Sequence, residues 1–172
     1  MTRRAPLFCL PFGVRLELAE QQATDERWVQ VVLVDGSRAW VQQGDLNIRL
    51  EPVSIGEVIA TGKRFLGLPY RWGGTTTFGF DCSGLTQLLC SLRGVLIPRD
   101  SGPQSRWDGM VDVERSQLEP GDLLFFGPSP DKVTHTGMYI GEGRFLHATT
   151  HGRPVVQISD LSDPHWSQLL VR

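Results

Sequence analysis

The chain has 172 residues, which is enough for one domain or for two small ones. Hydrophobic residues make up 40% of it and charged residues 21%, a balance typical of a folded protein and not of a disordered one. The formal net charge of -2 supplies no basic surface for nucleic acid, and no apolar run is long enough to span a membrane.

The three cysteines, Cys9, Cys82 and Cys90, are odd in number and lack the spacing of a zinc site, so a disulfide framework is not expected. The first residues carry positive charge, but prolines and Arg15 interrupt the continuous apolar segment that an export signal needs. We therefore expect a cytoplasmic protein. The alternative is an exported one, if a signal segment is missing from this sequence.

The first predicted elements are strands. The stretch RWVQVVLVDGSRAWVQQGDL alternates apolar and polar residues on both sides of Asp35-Gly36, a dipeptide suited to a tight turn, and predicts a β-hairpin. RLELAEQQ predicts an earlier strand, and RLEPVS, at residues 49–54, predicts a linker. The residues expected to form the core of a small barrel are Trp28, Val31, Leu33, Trp40 and Val41.

Two helices are predicted next. VSIGEVIATGKRFLG has apolar residues at helical spacing, with Ser54 as an N-cap and Gly67 as a stop. After the glycine-rich loop LPYRWGGTTTFGF, the stretch DCSGLTQLLCSLRG places its leucines on one face and ends at Gly94. The later segments DLLFFG, THTGMYIG, RFLHATT and PVVQIS are short and β-rich, so this part of the chain predicts an α+β fold with helices first and an antiparallel sheet after.

Cys82 stands at the predicted start of the second helix, directly after a residue suited to cap it. The positive end of a helix favours the thiolate, the form of cysteine that attacks. Backbone N–H groups of the first turn are free to stabilise an oxyanion beside the sulfur. Cys82 is therefore a candidate nucleophile, although a lone cysteine at a helix start is more often a small buried residue.

A nucleophilic cysteine needs a base, and His135 and His147 flank the predicted turn at residues 141–143. If this turn is a three-residue loop with Gly143 left-handed, His147 faces Gly137 and lies diagonally beside His135 on one face. A two-residue turn would place the histidines on opposite faces. The pair therefore predicts its own turn type, or else a bulge.

Other residues have plainer interpretations. His147 and His151 are four residues apart, which suits a metal pair only on a helix, so neither a metal nor a cofactor is expected. His165 has no evident partner and is expected to be structural. Cys90 lies inside the second predicted helix and is expected in the core.

Six segments taken together resemble the NlpC/P60 family of cysteine peptidases, over residues 55 to about 160: LPYRWGG, DCSGL, IPRDSGPQ, LEPGDLLFF, THTGMYIG and RFLHAT. The resemblance implies a papain-like α+β core, with the nucleophile at a helix start packed against an antiparallel sheet. The hairpin with its two tryptophans, followed by WVQQGDL, resembles a bacterial SH3-like domain over about residues 5–48. The expected domains are an SH3-like β-barrel at 1–50 and the peptidase at 51–172.

Carried over by position, the resemblance implies that Cys82 is the nucleophile, His135 the general base and His147 the polar residue that orients it. Arg99, Asp100 and Gln104 in IPRDSGPQ are expected to be structural, with Arg99 pairing locally.

The resemblance also implies substrate contacts from Tyr70, Asp81 and Ser83, of which the last two grip the free amine of an N-terminal L-alanine. A carboxylate beside the site suits an ammonium group, but it also opposes formation of the thiolate. Asp81 is equally well explained as a helix cap.

The function that follows is a cysteine endopeptidase acting on bacterial cell-wall peptides. The expected cut is the γ-D-glutamyl to L-meso-diaminopimelate bond in peptides with a free N-terminal L-Ala, during recycling of wall fragments. The alternatives are an exported hydrolase of intact peptidoglycan, an inactive module that only binds wall peptides, and acyl transfer from lipid, which lacks a hydrophobic anchor here. The sequence leaves the oligomeric state open.

Overall fold

The structure, a computed structural model, describes residues 6–20, 27–47 and 51–172. The chain divides into two compact units, Met1–Glu51 and Pro52–Arg172. The predicted linker at 49–54 begins outside the described residues. Among the helices of the described ranges, none is long and apolar enough to cross a membrane.

The first unit contains a three-stranded antiparallel sheet in the order β1-β2-β3. Its strands are β1 (Glu17–Leu18), β2 (Trp28–Val32) and β3 (Arg38–Gln42), followed by a 3-10 turn at Gln43–Asp45. The hairpin predicted around Asp35-Gly36 is confirmed, since β2 and β3 pair from Trp28↔Gln42 to Val32↔Arg38. The SH3-like barrel stays a prediction, because the described strands form this one small sheet.

The core of this sheet differs from the prediction in its tryptophans. Val31 is buried as expected, and Leu33 and Val41 pack against the same cluster. Trp28 and Trp40, however, are 40% and 48% exposed. The prediction was wrong for both because side chains alternate along a strand, and the odd-numbered positions are the ones that face inward.

The second unit begins with two capped helices. Helix α1 (Ile55–Arg64) starts at Ser54, whose side chain and that of Glu57 form a reciprocal capping box. Helix α2 (Cys82–Leu92) starts at Asp81, which accepts a hydrogen bond from the N–H of Gly84. Between the helices, β4 (Thr75–Thr76) and β5 (Gly79–Phe80) form a small hairpin within the predicted glycine-rich loop.

The main sheet is a four-stranded antiparallel meander in the order β6-β7-β8-β9. The four strands are β6 (Leu123–Phe126), β7 (His135–Gly141), β8 (Arg144–Thr149) and β9 (Val155–Asp160). The strands β6, β7 and β8 lie within the segments predicted as β-rich, and β9 extends one residue beyond PVVQIS, so the α+β class of this unit is confirmed. Sequence analysis did not predict the short helices α3 (Ser101–Ser105) and α4 (Pro164–Leu169), or the 3-10 turn at Arg115–Gln117.

Both faces of this sheet are buried, and each has its own hydrophobic cluster. On one face, α1 and α2 pack against residues such as Met138 and Leu146. On the other, Trp166 of α4 packs with Phe126 and Phe145. The two clusters hold β7 and β8 between them, which fixes the strands that carry His135 and His147.

Candidate active site

Cys82 is the first residue of α2 and only 8% exposed. Burial raises the pKa of its thiol, and the charge of Asp81 adds to this effect. Backbone N–H groups of Thr136, Ser83 and Cys82 itself lower that pKa, so the helix start acts on the sulfur in the predicted direction. Burial outweighs them, and the resting cysteine is therefore a neutral thiol that needs a base.

The carboxylate of Asp81 connects the start of α2 to the glycine-rich loop and to Arg99. Its Oδ1 accepts the N–H of Gly84 at 2.7 Å, and its Oδ2 accepts the N–H of Gly73 at 2.9 Å. Arg99 donates to both oxygens, from Nη1 at 3.0 Å and from Nη2 at 2.6 Å. Of the two roles weighed for Asp81, these contacts support the helix cap, because donors of the protein already occupy both carboxylate oxygens.

Ser83 and Gly84 complete the first turn of α2. The hydroxyl of Ser83 is 3.4 Å from Oδ1 of Asp81 and accepts a hydrogen bond from Nη1 of Arg99 at 3.0 Å. At position 84, a Cβ would collide with the carbonyl oxygen of Gly74. Only glycine lets the loop approach the helix this closely, which explains the glycine of DCSG.

Tyr70 lies in the glycine-rich loop and is half-buried. Its backbone N–H donates to the carbonyl of Pro154 at 2.7 Å, and it pairs with Phe80 across an isolated bridge. Burial raises the pKa of its phenol, and so do the charges of Cys82 and Asp81. Tyr70 is therefore close enough to both residues to share their electrostatic environment.

His135 and His147 lie in direct contact. Nε2 of His135 is 2.8 Å from Nδ1 of His147, and the two rings meet edge to face. Nε2 of His147 is in turn 2.9 Å from Oγ of Ser159 on β9. His135 is also the residue directly before Thr136, whose N–H approaches the sulfur of Cys82. The helix start and this chain of polar groups therefore meet at the beginning of β7.

A bulge brings the two histidines to one face. Gly141 pairs with Arg144, so the turn is a two-residue turn, with Glu142 and Gly143 both at positive φ, 55° and 70°. The register then shifts between Tyr139 and Gly141. Beyond this bulge the strands pair as the three-residue loop would have paired them, with Met138 opposite Leu146. Of the two predicted arrangements, the bulge is the one that occurs.

The environment keeps both rings neutral. Burial lowers the pKa of His135 to about 3, with His165 adding to the effect. Burial also lowers the pKa of His147, helped by His135 and His151. A neutral imidazole is the form that accepts a proton, so the site pairs a neutral thiol with a neutral base.

Trp166 of α4 contacts both histidines of the site. Its ring is buried, stacks on His135 at a centroid distance of 5.0 Å and meets His147 edge-on at 4.8 Å. His165 stacks on His151 at 3.7 Å with nearly parallel rings, so the prediction that His165 has no partner was wrong.

Sequence analysis identified neither Ser159 nor Trp166 as a contact residue of the site, and it did not predict the pairing of Arg99 with Asp81. The segment IPRDSGPQ contains the only signal for Arg99, and it was interpreted as local structure. The segment PVVQIS predicts the strand that carries Ser159 but not its register. For metals, no group of three or more His, Cys, Asp or Glu residues suited to hold an ion occurs within residues 6–20, 27–47 and 51–172.

The second unit matches a known protein family. The family model for the NlpC/P60 family matches residues 67–172, more than half of the chain, and this range contains Cys82, His135 and His147. The chain belongs to the NlpC/P60 family.

Two curated relatives carry the same name, Gamma-D-glutamyl-L-lysine dipeptidyl-peptidase. That of Bacillus cereus (strain ATCC 10987 / NRS 248) is 41% identical over 160 residues, covering 89% of this chain and 46% of the relative. That of Bacillus subtilis (strain 168) is 36% identical over 135 residues, covering 77% of this chain and 45% of the relative. The chain therefore spans about half the length of these relatives.

Solved structures of NlpC/P60 proteins have the same fold. A family protein from Bacillus cereus ATCC 10987 superposes with a TM-score of 0.80 at 38% identity, covering 92% of this chain and 52% of that chain. The NlpC/p60 domain of the peptidoglycan hydrolase SagA superposes with a TM-score of 0.58 at 31% identity, covering 70% of this chain and 99% of that one.

Proposed function

We propose that this protein is a cysteine endopeptidase that hydrolyses bacterial cell-wall stem peptides. Its cut falls between γ-D-glutamate and L-meso-diaminopimelate in peptides with a free N-terminal L-Ala. The observation that carries the proposal is that the N–H of Thr136 approaches the sulfur of Cys82 at the start of α2, while the adjacent residue, His135, is hydrogen-bonded to His147. The name of the two relatives supports the γ-D-glutamyl bond, with L-lysine at the third position in those proteins.

The chemistry begins with a proton transfer. As the sulfur of Cys82 attacks the γ-carbonyl carbon, its proton passes to His135, and a thioester replaces the amide. His135 returns the proton to the departing diaminopimelate amine. A water molecule, deprotonated by the same ring, then hydrolyses the thioester and restores the thiol. Because both partners are neutral at rest, the proton moves during the attack rather than before it.

The negative charge of the tetrahedral intermediate needs donors near the sulfur. The N–H groups of Cys82 and Ser83 already act on that sulfur at the start of α2, where backbone donors have no intrahelical partner. We assign the oxyanion to these groups, with the phenol of Tyr70 as a further donor.

Substrate contacts are assigned to Tyr70, Asp81 and Ser83, which surround the cysteine. Asp81 would meet a substrate amine through the remaining lone pairs of a carboxylate that Arg99 already binds. Selectivity for a free amine therefore needs a direct test.

The first test compares defined peptides by mass detection. L-Ala-γ-D-Glu-meso-diaminopimelate should yield the dipeptide L-Ala-γ-D-Glu, and the same peptide acetylated at its amine should be cut far more slowly. Equal cleavage of the two would refute selectivity for the free amine. The analogue with L-lysine at the third position lacks the side-chain carboxylate of diaminopimelate, so its rate of cleavage measures how much that carboxylate contributes to substrate recognition. If none of the three is cut, the protein does not have the proposed activity.

The second test changes the nucleophile. Cys82→Ala should abolish turnover and leave the fold intact, because the side chain only shortens at a helix start. Cys90→Ala is the matched control, since Cys90 is also largely buried on α2 but lies at the opposite end of the helix. Full activity of the Cys82 variant would exclude this mechanism.

We further propose that the protein acts in the cytoplasm on imported wall fragments. An exported protein would instead act on intact peptidoglycan, and an inactive module would bind wall peptides without cutting them. Purified peptidoglycan sacculi separate these possibilities: release of diaminopimelate-containing peptides from sacculi at the rate seen with free peptides would favour the exported hydrolase, and binding without release would favour the inactive module.

A further inference from the structure

Ser159 is the last polar group in the chain that starts at His135. It lies on β9 opposite Phe145, two pairs away from His147↔Gln157 and therefore on the same face of the sheet. Its Oγ is 2.9 Å from Nε2 of His147, whose side chain is fully buried. The role of this contact follows from which ring nitrogens carry protons.

His135 has one ring nitrogen available for the cysteine. Its Nε2 is 2.8 Å from Nδ1 of His147, which leaves Nδ1 as the nitrogen that can take the thiol proton. A neutral imidazole carries a single N–H. For His135 to act as a base through Nδ1, its proton must therefore reside on Nε2 and be donated to His147.

The same rule applies to His147. If its Nδ1 accepts the proton of His135, its own proton must reside on Nε2, where the acceptor within reach is Oγ of Ser159. A serine hydroxyl has lone pairs that can accept this bond. The ionisable groups that face His147 are His135 from β7 and His151 from the connection between β8 and β9.

We propose that Ser159 is a positioning residue of the active site: its Oγ accepts the Nε2–H of His147 and thereby holds His135 in the tautomer with Nδ1 free to take the proton of Cys82. The role rests on the proposed function, because it concerns the base of that reaction. Ser159 touches neither substrate nor sulfur and acts only through His147.

Removal of the Ser159 hydroxyl should change the tautomers of His147 and His135. In Ser159→Ala, the Nε2–H of His147 would be buried without an acceptor, so His147 gains by moving its proton to Nδ1. That proton would be donated to Nε2 of His135, whose own proton would then occupy Nδ1. His135 in this state cannot accept the proton of the thiol.

The tautomers can be measured without any substrate. In the wild-type protein near neutral pH, ¹⁵N shifts of the imidazole groups should show His147 and His135 protonated at Nε2. In Ser159→Ala, both should move toward protonation at Nδ1, and in Ser159→Thr, which keeps a hydroxyl on a strand, they should not. A wild-type His147 protonated at Nδ1, or an unchanged tautomer in the alanine variant, would overturn the proposal.

Kinetics provide the second measurement. Ser159→Ala should lower kcat by about 10-fold to 100-fold with little change in KM, and Ser159→Thr should recover most of the loss. Ser91→Ala is the matched control, because Ser91 is a partly buried serine on α2 with one local hydrogen bond, to the carbonyl of Leu88. A kcat of Ser159→Ala equal to that of the wild type contradicts the proposal while the proposed function stands. If the wild type cuts no stem peptide, the proposed function fails, and the ¹⁵N shifts still decide the role of Ser159.

Discussion

Arg99 binds both carboxylate oxygens of Asp81, the residue directly before the cysteine, at 3.0 and 2.6 Å. The two residues are eighteen positions apart, and Asp81 also caps α2 and accepts an N–H from the glycine-rich loop. A planar guanidinium fits a carboxylate through two parallel hydrogen bonds. This ion pair therefore fastens the start of α2, and the sulfur that it carries, to the segment before α3.

Arg99→Met should destabilise the protein by about 1–3 kcal/mol. A fully buried carboxylate that loses its partner costs about 3–5 kcal/mol, and the estimate here is lower because the side chain of Arg99 is 32% exposed. Urea denaturation measures the effect. Arg99→Lys should cost less than Arg99→Met, since it keeps the charge but loses the two-pronged contact.

A double-mutant cycle measures the interaction energy between Arg99 and Asp81 apart from their other contacts. Arg99→Met combined with Asp81→Asn should be less destabilised than the sum of the two single variants, because neither group is then left as an uncompensated buried charge. Strict additivity would show that the ion pair does not couple the two segments.

Acid should weaken the fold through the two buried histidines. Burial lowers the pKa of His135 from 6.5 to about 3 and lowers that of His147 as well. Between these values the unfolded chain binds protons that the folded protein excludes, so the free energy of unfolding falls as pH falls from about 6.5 toward 3. Urea denaturation at about pH 7, 5.5 and 4.5 measures the slope.

Carboxylates also make the free energy of unfolding depend on pH, and a histidine variant separates their contribution from that of His135. His135→Gln removes one of the titrating rings, so its free energy of unfolding should depend less steeply on pH than that of the wild type in this window. Parallel slopes for the two proteins would mean that His135 already binds its proton in the folded state near pH 6.5.

The turn that aligns the histidines depends on the backbone at Gly143. Its φ is +70°, and an added Cβ there would meet no atom within 4 Å. Gly143→Ala should therefore destabilise the protein by about 1–2 kcal/mol, through backbone conformation alone. Thermal unfolding measures this effect.

Gly56→Ala is the opposite control. Gly56 lies in α1, has no positive φ, and an added Cβ there would meet only Oγ of Ser54, at an ordinary contact distance of 4.0 Å. Alanine favours a helix over glycine by up to about 1 kcal/mol, so this variant should raise Tm. Equal effects of the two substitutions would show that the turn at Gly143 tolerates an ordinary side chain.

Much of the second unit was predictable from local patterns. The capped start of α1 at Ser54, the start of α2 at Cys82 and the four strands of the meander follow from short-range signals, because caps, turns and alternation act within a few residues. In the first unit, alternation was recognised, but the predicted core combined tryptophans at even-numbered positions with Val31, Leu33 and Val41 at odd-numbered ones. Alternation along a strand places these two sets on opposite faces, and the odd-numbered set is the buried one.

The sequence by itself determined that a cysteine stands at a capped helix start and that two histidines flank a glycine turn. Only the tertiary structure decided that a bulge, and not a longer loop, places the histidines on one face, and that Ser159 and Arg99 contact His147 and Asp81. The physical reason is register and distance along the chain. A shift of one residue turns a side chain to the other face of the sheet, and contacts between distant segments form only when the whole core packs.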